Sequence, residues 1–356
     1  MRVAIVGATG NLGTSVLRSL ETEERVESVL GIARRIPERA TEGGVRQSPK
    51  VEWASADVTE DNLEPLFRGA DAVVLLSWLI QPSRNLDKLW TVNVEGSVRA
   101  MEAAAAAGVP ALLYASSVGA YSPGPKDRRV DESWPTGGVQ TSYYSRQKAE
   151  VERRLDRFER DNPGVRVARL RPGLVFKREA SQGIRRLFGG PLLPGSLARP
   201  ELIKLIPRIR GLRSQVVHSY DVGEAFRLAL LSEAGGAFNI AAEPPLDAAE
   251  LGRLFGARTL PVPERAARAA LDLTWRLRAH PVSAGWLDMA RSVPLMESSR
   301  AREELGWEPG YDAYETIEDL LAGLRTGAAL DTPVLSAGSG PFRSREFRTG
   351  IGAEEP

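Results

Sequence analysis

The 356-residue chain contains no cysteine and only two histidines, His218 and His280. The first absence excludes disulfides, thiolate nucleophiles, iron–sulfur clusters and Cys-based zinc sites, and the second leaves no imidazole cluster for metal ligation, so no metal site is expected. An excess of one charge is also missing. Lys and Arg number 47 against 46 Asp and Glu, a net charge of +1, which disfavours a nucleic-acid partner. No apolar run reaches a bilayer-spanning length, the longest lying near Ala72-Val73-Val74-Leu75-Leu76. The stretch Met1-Arg2-Val3-Ala4-Ile5-Val6-Gly7 shows no basic-then-apolar leader, and the expected location is the cytoplasm. What remains is ordinary globular composition, 42% hydrophobic and 26% charged, in a length that suits about two domains.

Val-, Ile- and Leu-rich runs recur with longer amphipathic stretches between them. Strands are expected at Val3 to Val6, Val29 to Ala33, Val51 to Ala56, Ala72 to Ser77, Ala111 to Ser116, Val165 to Leu170 and Ala237 to Ala241. Strand–helix alternation of this kind predicts an α/β fold with a doubly wound parallel seven-stranded sheet. One helix is expected from about Asp87 to Ala107, stopped by Gly108-Val109-Pro110. From Leu174 the alternation fades, and glycine and proline crowd residues 183 to 211. Later helices open at Asp247-Ala248-Ala249-Glu250, with the spacing of a capping box, and at Glu264, running to Ala279. The expected division is a nucleotide domain at 1–173, rejoined by 215–242, and a smaller, mostly helical substrate domain at 174–214 and 243–330. A flexible tail is expected over 331–356.

Gly7-Ala8-Thr9-Gly10-Asn11-Leu12-Gly13 follows the first strand and opens a helix. Glycines there allow a tight turn and close approach to a pyrophosphate, which meets the free N–H groups of the helix start. Gly7, Thr9, Gly10, Asn11, Leu12 and Gly13 are therefore candidate dinucleotide contacts. The second strand ends in Ala33-Arg34-Arg35, with no acid to hold a ribose 2′-hydroxyl. Two guanidiniums suit a 2′-phosphate, so Arg34 and Arg35 favour NADP over NAD, unless both are solvated loop charges.

Tyr144-Ser145-Arg146-Gln147-Lys148 sets a phenol and an ammonium four residues apart, on one helix face. A nearby cation stabilises phenolate, fitting tyrosine for proton exchange with a hydroxyl or carbonyl. Twenty-seven residues earlier a strand runs into Ser116-Ser117, placing hydroxyls at a carboxyl end where open α/β sheets bind ligands. His218 reads as a packing and hydrogen-bonding residue and Asn93 as a structural contact. Trp78 reads equally as a stacking surface or as core. Segment 177 to 213 carries nine basic and two acidic residues; its readings are an anion site, an acidic membrane surface as the minor one, or a solvated loop balanced elsewhere.

These residues resemble the extended short-chain dehydrogenase/reductases, the NAD-dependent epimerase/dehydratase family, over about 1 to 325. The glycine loop matches its Gly-x-x-Gly-x-x-Gly, Asp57-Val58 its adenine-contacting pair, and Asn93-Val94-Glu95-Gly96-Ser97 its Asn-x-x-Gly-Thr helix. His218-Ser219-Tyr220-Asp221-Val222 and Leu305-Gly306-Trp307-Glu308-Pro309 match two further segments. The resemblance implies a Rossmann-type fold and a catalytic set of Ser117, Tyr144 and Lys148. It also implies cofactor contacts from Asp57, Val58, Leu76, Ser77, Ser116, Tyr144, Lys148 and Pro172, and, by analogy, a homodimer. Leu174 and Ser214 stand where nucleotide-sugar members carry an asparagine and an arginine, Leu75 where a histidine is frequent, and Trp78 and Leu79 add apolar surface. The expected function is therefore NAD(P)-dependent oxidoreduction at a carbonyl or alcohol carbon of a relatively apolar small molecule. The alternatives are a sugar-nucleotide epimerase or dehydratase, and a non-catalytic NADP-binding redox sensor.

Overall fold

The short apolar runs form strands because helices cover them on both sides. β1 (Arg2–Val6), β2 (Ser28–Ala33), β3 (Val51–Ser55), β4 (Ala72–Leu75), β5 (Ala111–Ala115), β6 (Arg166–Pro172) and β7 (Gly236–Ile240) make one sheet. Their order is β7-β6-β5-β4-β1-β2-β3, and every pairing is parallel. All seven expected strands are present. This computed structural model describes residues 1–37, 48–80, 84–188 (backbone only from 186), 203–278, 282–330, 332, 334 and 335. Most of the expected tail, and His280, lie outside the described residues.

Alternate strand residues face opposite layers. Val3, Ile5, Val74 and Leu113 pack under α1 (Asn11–Glu21), while Ala4, Val6, Val73 and Leu112 pack under α2 (Gly96–Ala106) and α3 (Tyr143–Asp161). α4 (Ser219–Leu231) lies beside α1, so close that a Cβ on Gly223 would stand 2.5 Å from Ser15 O.

The single helix expected from Asp87 is interrupted. Leu86–Trp90 is α-helical, Thr91–Glu95 forms a π turn, and α2 follows. Asn93 sits in that turn with its side chain inward: its Oδ1 accepts from Leu79 N at 2.6 Å, and its Nδ2 donates to Leu79 O at 2.8 Å and Gln147 Oε1 at 2.9 Å. The expected end holds. Gly108 has φ +73°, its N–H bonds Ala105 O, and Val109 N bonds Ala104 O, which closes the last turn.

Beyond Leu174 the chain is helical but includes short parallel strand pairs, Leu174–Phe176 with Val216–His218 and Leu205–Arg208 with Arg258–Pro261. Asp247 caps Ala248–Phe255 as expected, accepting from Ala249 N and Glu250 N. Glu250 does not return the bond; it reaches the hydroxyl of Tyr314 instead. The reciprocal box lies at Asp312 and Glu315. One further helix matters below, α5 (Ala284–Ser292).

Candidate active site

The glycine loop follows β1, Arg34 and Arg35 follow β2, Asp57 and Val58 follow β3, Leu76 and Ser77 follow β4, Ser116 and Ser117 follow β5, Pro172 ends β6, and Tyr144 and Lys148 lie on α3. Gly7 turns the chain at φ +89°, and a Cβ there would stand 2.8 Å from Ser77 N, so the loop lies directly on the Leu76-Ser77 backbone. At Gly13 a Cβ would meet Gly7 O at 2.3 Å; only glycine lets α1 enter this close under the loop. Gly10 caps α1 without a side-chain bond, and the first turn has no acid, which leaves the positive helix end facing outward. Asn11 Oδ1 is buried with no partner among the described residues. Glycine positions with no room for a Cβ, an uncapped helix start and an orphan acceptor fit a dinucleotide pyrophosphate and ribose.

Arg34 and Arg35 are exposed just beyond β2. Arg34 Nε lies 4.0 Å from Asp57 Oδ2, while Asp57 Oδ1 accepts from Thr59 N and Thr59 Oγ1. Val58 points into the core, where a Cβ on Gly96 would approach it to 2.6 Å. Pro172 ends β6 and is buried.

Ser117 follows β5 and accepts from Gly119 N at 3.0 Å. The Tyr144 ring lies against the same turn, where a Cβ on Gly119 would stand 2.8 Å from its Cε1; burial holds its phenol pKa above the ordinary tyrosine value, and the Ser117 side chain works against that rise. Lys148 is buried one turn further along α3. Its ammonium donates to Ala115 O at 2.7 Å and Tyr114 OH at 3.3 Å, and sits 3.5 Å from the centre of the Trp78 ring. Burial drives its pKa well below the usual lysine range, and the charge of Glu152 opposes that fall. Trp78 also meets Tyr144 edge-on at 5.8 Å, and its indole N–H is buried without a partner among the described residues.

Sequence reasoning missed two residues here. Glu152 continues the four-residue spacing from Tyr144 and Lys148, and that spacing was the available signal. Its carboxylate accepts from Ser116 Oγ at 2.5 Å, from Arg171 Nε and Nη2 at 2.9 Å, and from Arg169 Nη1 at 3.0 Å. Burial works against its charge, yet these cations and the Ser116 bond hold its pKa down to about 2. Trp286, on α5, has its ring centre 5.1 Å from that of Tyr144 and had no signal in the sequence.

Three other residues find plain roles. His218 caps α4 by accepting from Tyr220 N, lies 3.2 Å from Asp319 Oδ2 and stacks on Tyr311 at 3.9 Å. Lys177, read as part of a basic loop, is instead buried under α1, donating to Asn11 O, Thr14 Oγ1 and Ser15 Oγ; burial brings its pKa to about 8. Arg178 of the same segment pairs with Asp319 at 2.6 Å. Among the described residues no helix is long and apolar enough to cross a membrane.

Known proteins resemble this chain over most of its length. An uncharacterised protein of Mycobacterium tuberculosis is 24% identical over 328 residues, 91% of this chain and 30% of that protein, so the chain spans under a third of that relative. Sterol-4-alpha-carboxylate 3-dehydrogenase, decarboxylating, of Candida albicans is 26% identical over 193 residues, 53% of each chain. The solved UDP-glucose 4-epimerase of Thermus thermophilus, in complex with NAD, shares the fold with a TM-score of 0.64 at 20% identity, covering 91% of this chain and 99% of that one. Residues 3–241 match the NAD dependent epimerase/dehydratase family, and the chain belongs to it.

Proposed function

We propose that the chain is an NAD(P)-dependent oxidoreductase acting on a carbonyl or alcohol carbon of a relatively apolar small molecule, with Ser117, Tyr144 and Lys148 as its catalytic residues. The observation that carries the reading is the packing of Tyr144 against the turn that follows Ser117, where a Cβ on Gly119 would stand 2.8 Å from Tyr144 Cε1, with a buried lysine one helical turn further on. Gly7, Thr9, Gly10, Asn11, Leu12 and Gly13 would hold the pyrophosphate side of the dinucleotide, and Arg34, Arg35, Asp57 and Val58 its adenosine side. Leu76, Ser77, Ser116, Lys148 and Pro172 would line the nicotinamide side. When bound, the dinucleotide supplies or takes up the hydride.

Tyr144 Oη gives the proton to the substrate oxygen or takes it away. Ser117 Oγ binds the same oxygen and keeps it in line. Burial pushes the Tyr144 phenol upward, so it needs a positive field to ionise; Lys148, one turn away and itself pushed downward by burial, would supply that field only while it holds its proton. The two guanidiniums after β2 favour the phosphorylated cofactor, although Asp57 shares Arg34. Residues 1–173 with 215–242 form the cofactor part in this reading, 174–214 and 243–330 the substrate part, and a second copy of the chain is the expected partner.

The Candida relative is a dehydrogenase of a sterol carboxylate, which suits an apolar substrate. The epimerase reading rests on the Thermus structure, but Leu174 and Ser214 stand where nucleotide-sugar members carry an asparagine and an arginine, and neither brings an amide or a guanidinium to a nucleotide. The test is turnover of a panel of alcohols and ketones, with UDP binding measured by calorimetry. Tyr144→Phe should lower turnover on the order of 100-fold with cofactor affinity nearly unchanged. Micromolar binding of UDP would promote the epimerase reading instead.

A further inference from the structure

The walls around Tyr144 are aromatic on two sides and come from distant parts of the chain. Trp78 follows β4 and meets the Tyr144 ring edge-on; Trp286 lies on α5, 142 residues beyond Tyr144 in sequence, with its plane tilted 33° to the phenol ring. Both indoles are half-buried, neither wholly enclosed, and the Lys148 ammonium sits over the Trp78 ring, 3.5 Å from its centre.

α5 is set firmly enough to define a wall. A Cβ on Gly285 would stand 2.2 Å from Thr141 O, so this helix lies directly on the turn that starts α3. Met289, one turn on, takes a weak bond from Ser142 Oγ at 3.7 Å and packs with Val139, Val293 and Val118. Trp286 Nε1 donates to Tyr143 OH at 3.2 Å, which fixes the indole plane.

We infer that Trp78 and Trp286 are specificity-determining residues that select a substrate with a planar ring next to the reacting carbon. The inference rests on the oxidoreductase reading above for what happens at that carbon, but ring selection is a property of binding. Offset or edge-on aromatic packing rewards a flat ring, whereas a sugar ring, dense in hydroxyls, would leave its polar groups facing indole carbon.

The probes are acetophenone and acetone, titrated by calorimetry into the NADP⁺-saturated protein and into the protein alone. An oxidised cofactor cannot reduce either ketone, so the measurement reads binding. Acetophenone should bind at least about tenfold tighter than acetone. Trp286→Leu and Trp78→Leu should each shrink that ratio about fivefold or more, Trp286→Phe should keep most of it, and NADP⁺ affinity should stay within about twofold in Trp286→Leu. An unchanged ratio in both leucine variants overturns the inference, as does equal binding of the two ketones by the parent protein. Should Trp286→Leu fail to fold, Trp78→Leu and Trp286→Phe carry the decision.

Turnover with NADPH is measured separately. Ring selectivity in binding with no reduction of either ketone supports the inference and removes the proposed reaction. Equal kcat/KM for acetone and acetophenone keeps the reaction and overturns the inference.

Discussion

A carboxylate buried among cations is the most consequential single residue outside the reacting set. Glu152 is fully enclosed and engages Arg169, Arg171 and Ser116 at once. Removing one partner of a buried pair costs about 3–5 kcal/mol, because the remaining charges stay desolvated. Glu152→Gln should therefore lower the urea midpoint sharply at pH 7. The sign with pH follows from its pKa of about 2 against an ordinary 4.5. A carboxylate depressed in the folded state stabilises fully above the unfolded value and loses that contribution as pH falls from about 4.5 toward 2. The gap between parent and variant should narrow over that window, and urea unfolding at stepped pH measures it. A gap that is constant with pH would assign the loss to packing alone. The Tyr144, Lys148, Glu152 spacing was legible in the sequence, but its partners were not. Arg169 and Arg171 sit in a strand expected to stop at Leu170, and charges near a strand end ordinarily mean solvent. Arg34 belongs to the same scale: fluorescence titration should show NADPH binding tighter than NADH, with Arg34→Asp narrowing the difference. Equal constants in the parent protein would return both arginines to the solvated-loop reading.

At the scale of elements, the readable features were those whose chemistry is local. A glycine loop after a first strand, a glycine and proline ending a helix, and an aspartate opening one are each decided within a few residues, and all appear where expected. The π turn at Thr91–Glu95 was not readable: Asn93 within it bonds the Leu79 backbone, 14 residues earlier, a contact outside any local pattern. Asn93→Ala would leave those groups and Gln147 unpaired, costing about 1–3 kcal/mol, and thermal unfolding should show it. A loss below a few tenths of a kcal/mol would mean that the backbone finds other partners. Gly13→Ala tests the cradle. Its methyl would stand 2.3 Å from the Gly7 carbonyl, which is backbone and cannot swing away, so the loop or α1 must move. Dinucleotide affinity should fall about tenfold or more, read by fluorescence titration.

Across the whole molecule, the C-terminal segment and the glycine loop are joined by packed elements. Trp307 is completely buried and donates from Nε1 to Asp221 O at 2.8 Å; the Asp221 carboxylate accepts from Gly310 N and Tyr311 N. Asp221 opens α4, α4 touches α1 at Gly223, and α1 begins at the loop. Replacing a buried tryptophan by alanine costs about 3–5 kcal/mol, so Trp307→Ala should be strongly destabilised. What happens on adding cofactor separates two consequences of that loss. A ligand at 100 times its dissociation constant adds about 2.7 kcal/mol to any protein whose site is intact. If Trp307 only supplies packing, NADP⁺ at one fixed concentration should raise the stability of parent and variant by the same increment. If the chain of contacts through α4 also holds α1 in register, the variant binds more weakly and its increment is smaller. Equal increments are expected, because the nearest approaches at Gly7 and Gly13 that shape the cradle are to the Leu76-Ser77 backbone and to the loop's own Gly7 and Ala8. Urea unfolding of both proteins with and without NADP⁺ decides the matter, and an increment in Trp307→Ala smaller by about 1.4 kcal/mol, tenfold in affinity, would show that the cradle depends on the far end of the chain.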